Sequence, residues 1–174
     1  MAEATPSRDH RETNGGPAST VDEESVLVDA VLTASRVMVA IAARSLGSSG
    51  DEVTLPQFRA LVLLGARGPL RPADLAEWLS VNPSTVTRLC DRLEAKKLIS
   101  RRRIREDRRE VWIHLAPTGK QFLEAVTDNR RAEIARIIAL LPPSTHSKLL
   151  DAFTLFGVAA GETPERTWAQ AWEQ

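Results

Sequence analysis

Residues Asn82–Gly119 read NPSTVTRLCDRLEAKKLISRRRIREDRREVWIHLAPTG, a capped helix signal followed by an arginine-dense hairpin signal. From Arg88 to Arg109 there are ten basic residues (Arg88, Arg92, Lys96, Lys97, Arg101, Arg102, Arg103, Arg105, Arg108 and Arg109) and four acidic ones (Asp91, Glu94, Glu106 and Asp107). The segment carries +6 in a chain of formal net charge zero, so the remaining residues carry the compensating −6. A neutral chain thus holds a concentrated cationic surface, the electrostatic footprint of a phosphate-backbone binder.

Asn82 suits a helix N-cap and Pro83 a first helical position, where a missing N–H costs nothing; the helix is expected to run to about Lys97. At helical periodicity Val86, Leu89, Cys90 and Leu93 form one apolar stripe, Ser84, Arg88, Asp91 and Arg92 fall opposite, and Thr85 and Thr87 lie on the flanks. A short helix over Pro72 to Leu79, with Leu75, Ala76 and Leu79 inward, precedes it across the turn Ser80-Val81-Asn82. Two helices so joined make a helix-turn-helix, whose second helix enters the major groove by its N-terminal end. The expected reading residues are Asn82, Pro83, Ser84, Thr85, Thr87, Arg88 and Arg92, with Arg88 suited to guanine.

Beyond Leu98-Ile99, strands are predicted over Ser100 to Arg103 and Glu110 to Leu115. In the second, Val111, Ile113 and Leu115 alternate with Trp112 and His114. Ile104 to Arg109 is then the tip of a wing whose Arg105, Arg108 and Arg109 could lie along a minor groove or its phosphates. Lys96, Arg101, Arg102 and Arg103 are expected to grip the backbone.

Working outward, a capping-box spacing at Thr20 and Glu23 opens a helix with Leu27, Ala30, Val31, Ala34, Val37, Met38 and Ile41 at helical intervals, ended by Leu46 to Gly50. A second capping box, Thr54 with Gln57, opens a helix to about Ala66, before Gly68-Pro69. After the wing, a helix over about Thr118 to Leu140 carries Phe122, Val126, Ile134, Ile137, Ile138 and Leu141. Pro142-Pro143 breaks it, and a last helix over about Ser144 to Ala160 offers Leu149, Leu150, Phe153, Leu155, Phe156 and Val158. Trp168 and Trp172 follow, four apart.

A chain of 174 residues can bury a core without staples. Its single cysteine excludes an intramolecular disulfide framework and suits a reducing cytoplasm. Residues 1–20 lack an apolar signal-like core and read as a disordered tail. The most apolar stretch, Val26 to Ala43, is interrupted by Asp29 and Arg36, which argues against a membrane span. The expectation is a soluble, cytoplasmic protein. His10, His114 and His146 show no ligand spacing, so neither metal nor cofactor is expected. No Ser/His/Asp arrangement, phosphate-binding glycine loop or paired-carboxylate motif points to an enzyme.

The order of elements and motifs resembles the MarR family of winged-helix transcriptional regulators over most of residues 22 to 160. The resemblance is carried by Asp74-Leu75-Ala76, Ser84-Thr85-Val86-Thr87-Arg88, Asp91-Arg92-Leu93-Glu94, Leu98-Ile99, Glu106-Asp107-Arg108-Arg109 and Leu115-Ala116-Pro117-Thr118-Gly119. The fold it implies is mainly α with a small β-hairpin wing: a winged helix-turn-helix plus a helical dimerisation region. The implied division is a tail at 1–20, a dimerisation helix at 21–50, the winged helix-turn-helix at 54–116, dimerisation helices at 117–163 and a tail at 164–174. Leu27, Val31, Ile137, Ile138, Leu150, Phe153 and Phe156 would line the homodimer. Asp107 would brace the wing, and Arg109 would reach the minor groove.

The resemblance further implies double-stranded DNA with a pseudo-palindromic operator as partner, and repression released by a small-molecule effector. Two departures stand out. Ala116 replaces the usual hydroxyl cap, leaving Thr118 with Gln121 as the alternative, and no cysteine lies near the start of the first helix, where peroxide-sensing members carry one. Two other readings compete: a winged-helix protein-interaction module without DNA binding, and a redox sensor acting through Cys90. Cys90 lies on the inward stripe, which favours a small core residue.

Overall fold

The computed structural model describes residues 18–47, 53–103 and 110–164. Its elements are α1 (Ala18–Gly47), α2 (Leu55–Arg67), α3 (Pro72–Leu79), α4 (Pro83–Ala95), β1 (Ile99–Arg103), β2 (Val111–Leu115), α5 (Pro117–Ile138), a single 3-10 turn (Pro143–Thr145) and α6 (His146–Ala159). The architecture is the expected one, mainly helical with one two-stranded antiparallel hairpin.

Helix α1 begins at Ala18, so Thr20 falls inside its first turn rather than at its cap; the first turn of a helix tolerates Ser and Thr, and such boundaries shift by a residue or two. The chain divides into two compact units after Met38, within this helix. In the first unit Val26, Leu27, Val28 and Leu32 are exposed and Val31 is half-buried. Asp22–Gly47 is long enough, and an 18-residue window within it apolar enough at a mean hydropathy of 1.9, to cross a membrane by length and composition alone, despite Asp29 and Arg36. In the second unit its last turns behave otherwise: Ile41, Ala42, Ser45 and Leu46 are buried, and Leu46 belongs to the core.

Most of that core comes from α2 to α5 and the hairpin. Leu61, Leu75, Val86, Leu93, Ile113, Leu123 and Val126 are completely enclosed, and burying each such side chain stabilises the fold by about 1.5–3 kcal/mol. Helix α2 starts on the expected capping box: Thr54 accepts from the Gln57 N–H, and the Gln57 side chain accepts from the Thr54 N–H. Helix α5 departs from expectation, since Ala116 stands at its N-cap and Thr118 lies one residue inside the helix. Pro117 supplies no donor, and the Thr118 hydroxyl bonds the Lys97 carbonyl, tying α5 to the end of α4 instead of capping its own helix.

The hairpin register pairs Ile99 with Leu115, Arg101 with Ile113 and Arg103 with Val111. Leu70 adds a third rung that the sequence reading missed, donating to the Ile113 carbonyl at 3.1 Å and accepting from its N–H at 2.8 Å. This one-residue bridge fastens the root of the wing to the connection between α2 and α3. Helix α6 buries none of its residues, and Leu150, Phe153, Leu155, Phe156 and Val158 are exposed along it.

Candidate nucleic-acid interface

The turn from α3 to α4 is a left-handed cap. Ser80, at φ +52°, donates to the Glu77 carbonyl at 3.0 Å, and Val81 donates to the Ala76 carbonyl at the same distance. Asn82 occupies the N-cap of α4, but its side chain makes no capping bond. Its backbone carbonyl already accepts from Thr85 at 2.9 Å and Val86 at 3.3 Å. The exposed Asn82 amide stands beside Pro83 and Ser84 at the open end of the helix.

Along α4, Val86, Leu89, Cys90 and Leu93 are buried, as the periodicity predicts. Ser84, Thr87, Arg88, Asp91 and Arg92 are exposed and Thr85 is half-buried. The Thr87 hydroxyl donates to the Pro83 carbonyl at 3.1 Å, leaving its lone pairs to meet a ligand donor. A shallow cleft at the turn is lined by Ala76, Glu77, Ser80, Val81, Asn82 and Thr85. Another lies where α2 begins and α4 ends, with Arg92 and Lys96 on its wall.

The cationic segment divides into two kinds of residue. Arg88, Arg92, Arg102 and Arg103 are exposed and, with half-buried Lys96, form no ion pair among the described residues. Arg101 is different. Its guanidinium donates to Glu94 at 2.8 Å, Asp91 at 2.7 Å and the Thr87 carbonyl at 3.3 Å, and its backbone N–H reaches Glu94 at 3.2 Å. The expectation that Arg101 grips phosphate meets a side chain already engaged by two carboxylates, because its place opposite Ile113 in the hairpin turns it toward α4. Arg105, Asp107, Arg108 and Arg109 lie outside the described residues.

Cys90 is 1% exposed, and burial pushes its thiol up to about 11, against a partial opposing pull from Arg101. A redox sensor needs the reverse, an accessible thiol of lowered pKa. Burial, with the charge of Arg102, lowers the pKa of His114 on β2. Trp78 is 45% exposed, with the Arg67 guanidinium 3.5 Å from its ring centre. Half-buried Trp112 donates to Glu110 at 3.4 Å, and Arg71 approaches its ring at 6.0 Å. Among the described residues no group of His, Cys, Asp and Glu could hold a metal ion.

The sequence model of the MarR family matches residues 53–111, the span from α2 to the second wing strand. The HTH-type transcriptional repressor MdtR of Bacillus subtilis is 36% identical over 116 residues, covering 66% of this chain and 73% of its own. The chain belongs to the MarR family. Among solved structures, that of RV1404 from Mycobacterium tuberculosis shares 42% identity and a TM-score of 0.76 over 81% of this chain and 96% of its own. The transcriptional regulator Tm0710 from Thermotoga maritima shares 30% identity and a TM-score of 0.64, covering 77% and 94%.

As a member of the MarR family the chain is a winged-helix, DNA-binding transcriptional regulator. Three residues that shape its reading head escaped the sequence analysis in their structural roles. Lys97 takes φ +59°, and the following Leu98 donates to the Leu93 carbonyl at 3.0 Å, closing α4 with a left-handed cap that turns the chain into the wing. Gly119 lets α5 pass against the Leu98 carbonyl, where a Cβ would come within 2.0 Å of the oxygen. Arg101 ties β1 to α4. A lysine in a left-handed cap gives no sequence signal, whereas the Gly119 in Ala116-Pro117-Thr118-Gly119 was visible and unread.

Proposed function

We propose that the protein is a homodimeric repressor whose two recognition helices dock in successive major grooves of a pseudo-palindromic operator, about 34 Å apart. One observation carries the DNA reading: the exposed row Ser84, Arg88 and Arg92 on a helix presented by a helix-turn-helix, whose arginines, like exposed Arg102 and Arg103 on the wing strand, form no ion pair among the described residues. Ser84, Thr85 and Arg88, with Asn82 and Thr87, read base edges. Arg92, Lys96, Arg102 and Arg103 neutralise phosphates, and Arg105, Arg108 and Arg109 extend the grip from the wing, braced by Asp107.

The dimer reading is supported by apolar surface without cover in the single chain. Leu27 on α1, Ile137, Ile138 and Leu140 around the end of α5, and Leu150, Phe153 and Phe156 on α6 are all exposed; a soluble monomer rarely leaves such continuous apolar faces to water. A second copy would cover them, leaving 54–116 as the reading head and 21–50 with 117–163 as the pairing region. Release by a small-molecule effector completes the reading on family membership. The effector must prefer one spacing of the reading heads over the other, since equal affinity for both would shift nothing.

The test is a mobility-shift titration on duplexes selected from genomic fragments by the purified protein. Arg88→Ala should lose both affinity and sequence preference, whereas Arg109→Ala should weaken binding to every sequence and make the salt dependence shallower by about one phosphate contact. An Arg88→Ala protein that keeps full affinity and preference refutes the readout assignment. Light scattering that returns a monomer refutes the dimer. A winged helix serving only protein contacts would show little DNA affinity at any salt concentration.

A further inference from the structure

Arg101 stands in the cationic segment, yet its guanidinium is already engaged by α4. On α4, Thr87, Asp91 and Glu94 succeed one another at helical spacing along one flank, and Arg101 touches all three. Its side chain is 28% exposed, and its backbone N–H shares the Glu94 carboxylate with its guanidinium. The fork geometry of a guanidinium allows this simultaneous engagement, which an ammonium cannot reproduce. Across the hairpin Arg101 pairs with fully buried Ile113, which is also bridged to Leu70. The residue therefore lies where the wing root, the core and the recognition helix converge.

Asp91 and Glu94 present a second problem that the same contacts solve. Two carboxylates on a helix that approaches phosphates would repel them unless neutralised within the protein. Asp91 and Glu94 have Arg101 as their ion-pair partner among the described residues. From this geometry we infer that Arg101 is a strut that locks the wing strand to the recognition helix, a positioning residue and not a phosphate ligand. This inference rests on the DNA-binding reading and refines it: operator preference requires the wing and the reading helix to be held at one mutual setting.

The decisive test exploits a difference in sign. Removing a carboxylate beside DNA should tighten binding by simple electrostatics. The strut requires the opposite for specific binding, so Glu94→Gln, Asp91→Asn and Arg101→Gln should each lower the ratio of operator to scrambled-duplex affinity by about fivefold, the scale of one well-placed, partly screened pair. Arg101→Lys should recover only part of that ratio. Hydrogen exchange on the DNA-free protein supplies an independent readout: amides of residues 99–103 and 111–115 should exchange faster in all three variants, with thermal midpoints close to wild type.

If Glu94→Gln and Asp91→Asn instead raise operator preference, or hairpin exchange is unchanged while Arg101→Gln lowers the salt slope by about 0.9, Arg101 is a phosphate ligand and the strut is overturned. A wild-type protein that selects no duplex would refute the DNA-binding reading itself. The exchange comparison would still decide whether Arg101 holds the wing.

Discussion

Gly119→Ala should destabilise the protein even though helix propensity alone says the reverse. Gly119 is the third residue of α5, where alanine is intrinsically favoured by about 1 kcal/mol. Its Cβ, however, would stand 2.0 Å from the Leu98 carbonyl oxygen, 3.0 Å from the Leu98 carbonyl carbon and 2.9 Å from Leu115 Cδ1. Relief requires the start of α5 to retreat by more than an ångström, because the obstacle is backbone and not a side chain that can swing aside. Such a retreat strains the bond from the Ala116 N–H to the Leu98 carbonyl, 3.0 Å long, and the bond from the Thr118 hydroxyl to Lys97. Overpacking costs about 1–3 kcal/mol and each strained bond about 1 kcal/mol, so after the propensity gain a loss of about 3 kcal/mol is expected. That corresponds to roughly 6–12 °C in Tm for a chain of this size. Circular-dichroism melting at one fixed protein concentration measures it, since a dimer's midpoint depends on concentration. An alanine variant as stable as wild type, or more so, would refute the close approach.

Other consequences are equally open to measurement. Lys97→Gly should stabilise the fold by about 0.5–1 kcal/mol because φ +59° suits glycine, while Lys97→Ala should give no gain; both are read by urea denaturation. Thr54→Ala should cost about 1 kcal/mol by removing one half of the capping box of α2. Native Cys90 should resist a thiol-specific disulfide reagent at neutral pH until the protein unfolds, and stoichiometric labelling of the folded protein would contradict its burial. Because its folded pKa is raised above the ordinary value of 9.0 to about 11, the unfolded thiol ionises first. The stability this group contributes is complete below pH 9 and is lost as pH rises toward 11, a loss that Cys90→Ala should remove.

Much of this architecture was legible because each recognised element carried a local signal. Thr54 with Gln57 marked α2, Pro72 and Pro83 marked the starts of α3 and α4, and the buried stripe of α4 matched its periodicity residue by residue. Where the reading failed, the deciding partner was distant in sequence. Thr118 looks like a helix cap until the Lys97 carbonyl, 21 residues earlier, claims its hydroxyl. Leu70 looks like part of a loop until Ile113 pairs with it across 43 positions. Asn82 stands at the N-cap of α4 as its residue type suggested, with no capping bond from its side chain.

Arg101 shows why charge counting alone misjudges such a segment. In sequence it is one of three consecutive arginines, and nothing in composition separates it from Arg102 and Arg103. The hairpin sorts them by geometry: neighbouring strand residues face opposite sides, so Arg102 pairs across the strands with Trp112, and of the two on the other side Arg101, opposite Ile113, reaches the α4 carboxylates while Arg103, opposite Val111, forms no ion pair among the described residues. The acidic residues are sorted by the same geometry. Asp91 and Glu94 subtract from the segment's net charge on paper, but in the fold their charge is met by Arg101 and opposes the exposed row less than a simple sum implies. The cations available to DNA are those that no internal carboxylate holds. The pairing thus leaves a reading face more uniformly positive than the sequence average, at a setting that depends on one guanidinium.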